Sequence, residues 1–153
     1  MSREATPTWF FVLCVVRRGD AFLVVEERKH GGGWYVPAGR VEPGEGFVEA
    51  ARRETLEEAG VEIAIDGVLR VEHAPRPDGT RIRVIFAARP VDPSSTPRQT
   101  PNEHTLGARF ATLDELRSLR LRGSEVLEMF EAVAAGAPIA PLSTLTWEGA
   151  PWR

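Results

Sequence analysis

The stretch Gly39–Val61, GRVEPGEGFVEAARRETLEEAGV, runs from a Gly/Pro-rich turn through a helix-forming segment to a glycine stop. A helix is expected from about Gly46 to Ala59, with Gly60 ending it. Glu54, Glu57 and Glu58 stand at i, i+3 and i+4, so they share one helix face. Like charges at these spacings repel by about 0.2–0.5 kcal/mol per pair, and three together point to a cation that offsets the repulsion. Phe47, Ala50 and Ala51 lead into the same stripe, which therefore begins apolar and ends acidic. Its first half should press on a sheet and its second half open into a cleft. The opposite side, with Thr55, Leu56 and Ala59, should need cover of its own. The plainer alternative is a solvated helix laced by the i,i+4 pairs Glu49–Arg53 and Arg53–Glu57. Hard oxygen ligands suit Mg²⁺ or Mn²⁺, and magnesium favours sites shared between carboxylates and phosphates, so phosphate chemistry follows.

Upstream, Trp9 to Arg17 is aromatic and β-branched and reads as a buried strand. Arg18-Gly19-Asp20 is a turn, and Ala21 to Glu27 returns as a hairpin partner. Arg28 to Gly33 is a glycine-rich loop, followed by a short strand Trp34 to Val36 stopped by Pro37. Downstream, Val61 to His73 reads as a strand bent near Asp66-Gly67. Pro75 to Gly79 is a turn, and Thr80 to Arg89 its hairpin partner. Pro90 to Pro101 is a proline- and serine-rich loop. Ala108 to Ala111 is a short strand. Thr112 to Leu119 opens with a capping-box pattern, Thr112 with Glu115, and Ser124 to Ala135 is an amphipathic helix. Strands on both sides of a central helix, with further helices at the end, give one α/β domain, a mixed sheet covered by helices. The domain is expected over residues 1–135. The tail 136–153 is expected to pack on it, or on a second subunit in a homodimer.

The 153 residues are 42% apolar and 27% charged, a globular composition that argues against disorder. A net charge of −3 with no basic stripe speaks against a nucleic-acid partner. The single cysteine, Cys14, excludes an intrachain disulfide or a cysteine zinc site, and its neighbours suggest a buried small hydrophobe. No apolar run is long enough for a membrane span and no signal-peptide core stands at the N-terminus, so a cytoplasmic protein is expected.

The same 23 residues resemble the Nudix box of the Nudix hydrolases: Gly39, Glu45, Arg53-Glu54, Glu57-Glu58, Gly60 and Val61 all stand at the fixed positions. Thr55, at an aliphatic position, is the one loose fit. The approach WYVPAGRVEPGE and the later ARFATLDEL also look like the family, whose mixed-sheet fold agrees with the layout above. The resemblance implies hydrolysis of a nucleoside diphosphate linked to another group. It implies Glu54, Glu57 and Glu58 as ligands of Mg²⁺, with Mn²⁺ as a substitute and a main-chain carbonyl near Gly39 as a further ligand. Arg53 would orient the carboxylates, and Glu45 would support the loop or reach the metal through water. Glu103 is the candidate general base from a later loop, against the plainer view of a solvated loop residue.

The resemblance leaves the substrate to the loops. Arg28, with Lys29 and His30, is the candidate phosphate contact. Pro75, fifteen residues after Gly60, resembles the downstream proline of the ADP-ribose-cleaving branch, although a turn there wants proline in any case. No tyrosine follows the box, which disfavours dinucleoside polyphosphates. The wording GGGWYVPAGRVEPGE leans toward oxidised or non-standard nucleoside di- and triphosphates, with ADP-ribose or related nucleotide sugars as the alternative. A catalytically silent nucleotide-binding module is the alternative of another class. His73 and His104 lack partners at metal spacing and are assigned no role.

Overall fold

A computed structural model describes residues 3–152. In chain order the elements are β1 (Thr8–Arg18), β2 (Ala21–Glu27), β3 (Trp34–Tyr35), β4 (Ala38–Arg40), α1 (Phe47–Ala59), β5 (Ile63–Arg76), β6 (Gly79–Pro90), β7 (Thr105–Thr112), α2 (Leu113–Ser118) and α3 (Ser124–Ala134), then a 3₁₀ turn at Leu142–Thr144. The seven strands form a mixed sheet in the order β3-β2-β1-β6-β5, with β4 joined to β1 and β7 to β2. Among the described strand pairs, β1 and β6 run parallel and the others antiparallel.

Side-chain alternation along β1 sorts the core into two layers. Val12, Cys14 and Val16 pack with Ala50, Ala51 and Ala59 of α1. Leu13 and Val15 face the other way, toward Leu116 of α2 and Val126 and Phe130 of α3. The sheet is therefore sandwiched between helices, as expected from the pattern. Cys14 is fully buried, and burial pushes its thiol up to about 12.

The split between β1 and β2 opens the site. The two strands pair only at Arg17↔Phe22 and Arg18↔Ala21, beside the turn at Gly19-Asp20. Further along, β1 takes β4 as its neighbour, through Phe11↔Arg40 and Leu13↔Ala38, while β2 pairs with β7. The three-residue β4 was not anticipated, because Ala-Gly-Arg carries no periodic signal. The β5–β6 turn is tighter than Pro75 to Gly79, with only Pro77 and Asp78 outside the strands. The bend near Asp66-Gly67 appears as register shifts at Ile65/Gly67 and Val68/Arg70.

After α3 the chain returns to the sheet. Ala140 and Val68 exchange backbone hydrogen bonds of 2.8 and 2.9 Å, and Leu142 and Leu145 pack against the α1 layer. No helix among the described residues is long and apolar enough to cross a membrane.

Candidate active site

Helix α1 begins after Gly46 and ends at Gly60, whose left-handed φ of 69° lets its N–H bond the Leu56 carbonyl. The buried positions are Ala50, Ala51, Thr55, Glu58 and Ala59. Thr55 suits its position because its hydroxyl donates to the Ala51 carbonyl at 2.8 Å while the side chain is fully buried. On the side expected to need cover, Thr55 and Ala59 are buried, whereas Leu56 is 54% exposed.

Arg53 organises the acids. Its Nε and Nη2 donate to the two oxygens of Glu45 at 2.6 and 2.9 Å, a bidentate pair. Its Nη1 reaches Glu54 at 2.9 Å and Glu57 at 3.2 Å, and Nη2 also donates to the Arg40 carbonyl at 3.1 Å. The expected Arg53–Glu57 pair is thus present. Glu49 forms no ion pair among the described residues, because Arg53 turns toward the loop instead. The Arg53 guanidinium holds the Glu45 carboxyl below its ordinary range, and Glu45 in turn raises the Arg53 pKa. Glu45 therefore braces the loop, and it lies outside the acidic pocket.

Glu58 is 8% exposed and accepts a 2.8 Å hydrogen bond from the Ala38 N–H on β4. Burial pushes its carboxyl up to about 8, although that hydrogen bond opposes the shift. Burial also raises Glu54, against the pull of Arg53. Gly39 packs directly on the Glu54 carboxylate, and any side chain there would overlap it. Glycine at this position is a demand of close approach.

A cavity of about 180 Å³ joins these acids to the flanking loops: Glu27, Arg28, Lys29, His30, Ala38, Glu54, Glu58, Glu103 and His104 line it. Glu57 does not line it and is tied to Arg53. Glu103 reaches the cavity with an exposed side chain 3.4 Å from His104. Arg28 lines the cavity and donates to the Asn102 carbonyl at 2.6 Å.

Four residues that the sequence reading did not single out complete the site. Glu27 pairs with Arg122 at 3.0 Å, its second oxygen is buried without a partner, and burial raises its pKa. Arg98 donates to the carbonyls of Glu57 and Glu58 at 2.7 and 2.6 Å, Asn102 to that of Glu57 at 2.9 Å, and Thr105 to that of Glu58 at 2.7 Å. The loop between β6 and β7 thus satisfies the C-terminal carbonyls of α1, which has no basic residue in its own last turn. The one readable signal was Asn102, whose side chain caps the turn to Thr105.

No three acids converge into a closed metal cage among the described residues. The donor set is all carboxylate oxygen, Glu54 and Glu58 are poorly solvated, and Arg53 is the guanidinium paired with Glu54. That arrangement fits an open magnesium-type site, in which water and phosphate supply the remaining ligands.

A family model described as the NUDIX domain matches residues 9–132. The chain belongs to the Nudix hydrolase family. It is 34% identical over 117 residues to the human 8-oxo-dGDP phosphatase NUDT18, covering 75% of this chain and 35% of that protein. This chain thus spans about a third of the human relative. Phosphatase NudJ of Shigella boydii is 32% identical over 142 residues, covering 89% of this chain and 91% of NudJ. Among solved structures, a NUDIX hydrolase from Nitrosomonas europaea superposes with a TM-score of 0.75 at 27% identity, covering 94% of this chain and all of that one. Nudix hydrolases are generally dependent on divalent metals, and the open carboxylate site fits that habit.

Proposed function

We propose that this Nudix chain is a Mg²⁺-dependent pyrophosphohydrolase of small nucleoside diphosphate derivatives, with oxidised or non-standard nucleotides as its substrate class. The observation that carries this is the carboxylate set at the end of α1: Arg53 holds Glu54 and Glu57, the Ala38 N–H holds Glu58, and Glu54 and Glu58 line the 180 Å³ cavity. The substrate lean is supported by the relatives named above, one of which is an 8-oxo-dGDP phosphatase.

Bound Mg²⁺, replaceable by Mn²⁺, would neutralise phosphate charge and lower the pKa of an attacking water. Glu54, Glu57 and Glu58 would hold it, with the Gly39 carbonyl beside them. Arg53 keeps Glu54 and Glu57 in place and ties them through Glu45 and the Arg40 carbonyl to the loop. Arg28, which lines the same cavity, donates to a phosphate oxygen. Glu103 takes the proton from the attacking water, as the exposed acid of that cavity. The product side needs no acid, because a phosphate leaving group is stable as an anion.

A panel of nucleotides with Mg²⁺ tests the reading on wild type, Glu57→Gln, Glu58→Gln and Glu103→Gln. All three variants are expected to lose turnover. Full activity in both Glu57→Gln and Glu58→Gln overturns the site.

A further inference from the structure

Arg28, Lys29 and His30 line the acidic cavity from a single loop, and that loop does little to hold itself. Its base is closed by one backbone bond, from the Glu27 N–H to the Gly33 carbonyl at 3.0 Å. Inside it the Gly32 N–H reaches the Lys29 carbonyl, also at 3.0 Å. His30, Gly31, Gly32 and Gly33 all take positive φ, at 56°, 81°, 75° and 95°. Among the described residues His30 is the one non-glycine to do so. Such a conformation persists where the surroundings impose it.

What imposes it here is the connection between α2 and α3, residues 119–123. It runs parallel to Trp34: the Trp34 N–H donates to the Arg120 carbonyl and the Arg122 N–H to the Trp34 carbonyl, each at 2.9 Å. Arg120 Nη2 donates to the Gly31 carbonyl at 3.1 Å, and Arg122 Nη1 to Glu27 Oε1 at 3.0 Å. The Arg122 guanidinium also lies over the Tyr35 ring at 4.5 Å. The fit is close enough to require the glycines. A Cβ on Gly33 would stand 3.2 Å from the Arg120 carbonyl oxygen and from the Arg122 nitrogen, and one on Gly32 would stand 2.8 Å from Arg120 Nη2. From the β6–β7 side, the Asn102 carbonyl accepts from Arg28 Nε at 2.6 Å. The 119–123 connection thus grips the loop at its start, through Glu27, and at its end, through Gly31 and Trp34.

We propose that Arg120 and Arg122 are positioning residues for phosphate binding, clamping the loop so that Arg28, Lys29 and His30 reach the phosphates of a bound nucleotide. The proposal rests on the hydrolase reading above and deepens it by naming what sets phosphate affinity. Arg122 also acts through charge. Glu27 lines the cavity, its second oxygen is buried without a partner, and Arg122 is the guanidinium paired with it. Removing Arg122 frees the loop and leaves that carboxylate uncompensated where phosphate enters. The loop's cations bind phosphate before and during reaction, so a displaced loop weakens ground state and transition state alike. Its loss belongs in KM, with kcat nearly unchanged.

Two measurements test this on Arg120→Ala, Arg122→Ala, Arg122→Lys and Gly33→Ala. One is steady-state kinetics with Mg²⁺ on the nucleotides that wild type hydrolyses. The other is calorimetric titration with Mg²⁺ alone and then with methylenediphosphonate, a pyrophosphate analogue that cannot be hydrolysed. Arg122→Ala is expected to raise KM and weaken the diphosphonate by about tenfold, with kcat and Mg²⁺ affinity near wild type. Arg122→Lys keeps the charge on Glu27 and should recover most of that loss. Gly33→Ala removes no charge and displaces the connection, so it should raise KM in the same way. Arg120→Ala, on an exposed side chain with one bond to the loop, keeps the test open should Gly33→Ala fail to fold. Wild-type KM and diphosphonate affinity in Arg120→Ala and Arg122→Ala overturn the clamp, as does a loss confined to kcat or to Mg²⁺ affinity. Hydrolysis with unchanged KM in these variants sinks the clamp alone, whereas weakened diphosphonate binding with no turnover of any nucleotide by wild type sinks the hydrolase reading alone.

Discussion

Arg53 touches three acids at once, and its planar fork makes that possible. Lysine at the same place has one charge centre and cannot hold Glu45 bidentately while bridging Glu54 and Glu57. Arg53→Lys is therefore expected to lower kcat/KM by about 10- to 100-fold and to raise the Mg²⁺ concentration needed for half activity. A Mg²⁺ titration of both proteins measures it, and an unchanged metal requirement would contradict the positioning role. Glu58 makes a second, opposite kind of prediction. Its carboxyl lies at about 8 in the folded metal-free protein against an ordinary 4.5. A raised carboxyl stabilises the fold fully below its unfolded value, and that stability is lost as pH rises through the folded one. Metal-free wild type should thus lose Tm between about pH 4.5 and 8 relative to Glu58→Gln, whose side chain does not titrate. Scanning calorimetry of the pair in EDTA shows the difference, and parallel Tm curves would refute it. The three box glutamates were legible because their spacing is local. Glu27 and Arg98 were not, since each is one residue of a distant segment whose meaning depends on which backbone it meets.

At the scale of elements, α1 and the loop that follows β6 act as one unit. The helix supplies no cation to its own C-terminus, and Arg98 arrives from 40 residues away to bond Glu57 and Glu58 through their carbonyls. Removing it takes the charged donor from both carbonyls and leaves only Asn102 on Glu57 and Thr105 on Glu58. Arg98→Ala is expected to cost about 1–3 kcal/mol, read as a lower denaturant midpoint at unchanged m-value. A midpoint within error of wild type would show the carbonyls to be satisfied otherwise. The strong periodic elements, β1, β2, α1, β6 and α3, were readable nearly to their ends, and the Thr112–Glu115 capping box formed as its pattern demanded. Readability failed where length was short or cover was the question. Strand β4 has three residues and no period, and Leu56 is exposed because a helical wheel cannot say which side lacks a neighbour.

At the scale of the whole molecule, β5 is the outer strand of the sheet, and the returning tail is what meets its edge. Gly67 makes that contact possible: a side chain there would collide with the Ala140 carbonyl and the Ile139 side chain. The same tail carries Leu142 and Leu145 onto the α1 layer, while Trp147 and Trp152 remain exposed. Strand edges left unpaired invite pairing with other chains, so the tail's attachment should govern the oligomeric state. Gly67→Ala, which touches none of the side chains of the acidic cavity, is expected to displace segment 137–145 and lower Tm. It should also shift the protein toward dimers or larger species at high concentration. Truncation after Gly136 should reproduce the shift. Sedimentation velocity at two concentrations measures it for wild type and both variants. If wild type is itself a dimer that Gly67→Ala converts to monomer, the tail belongs to the subunit interface. If neither variant changes mass or Tm, the contact at Val68 holds nothing together.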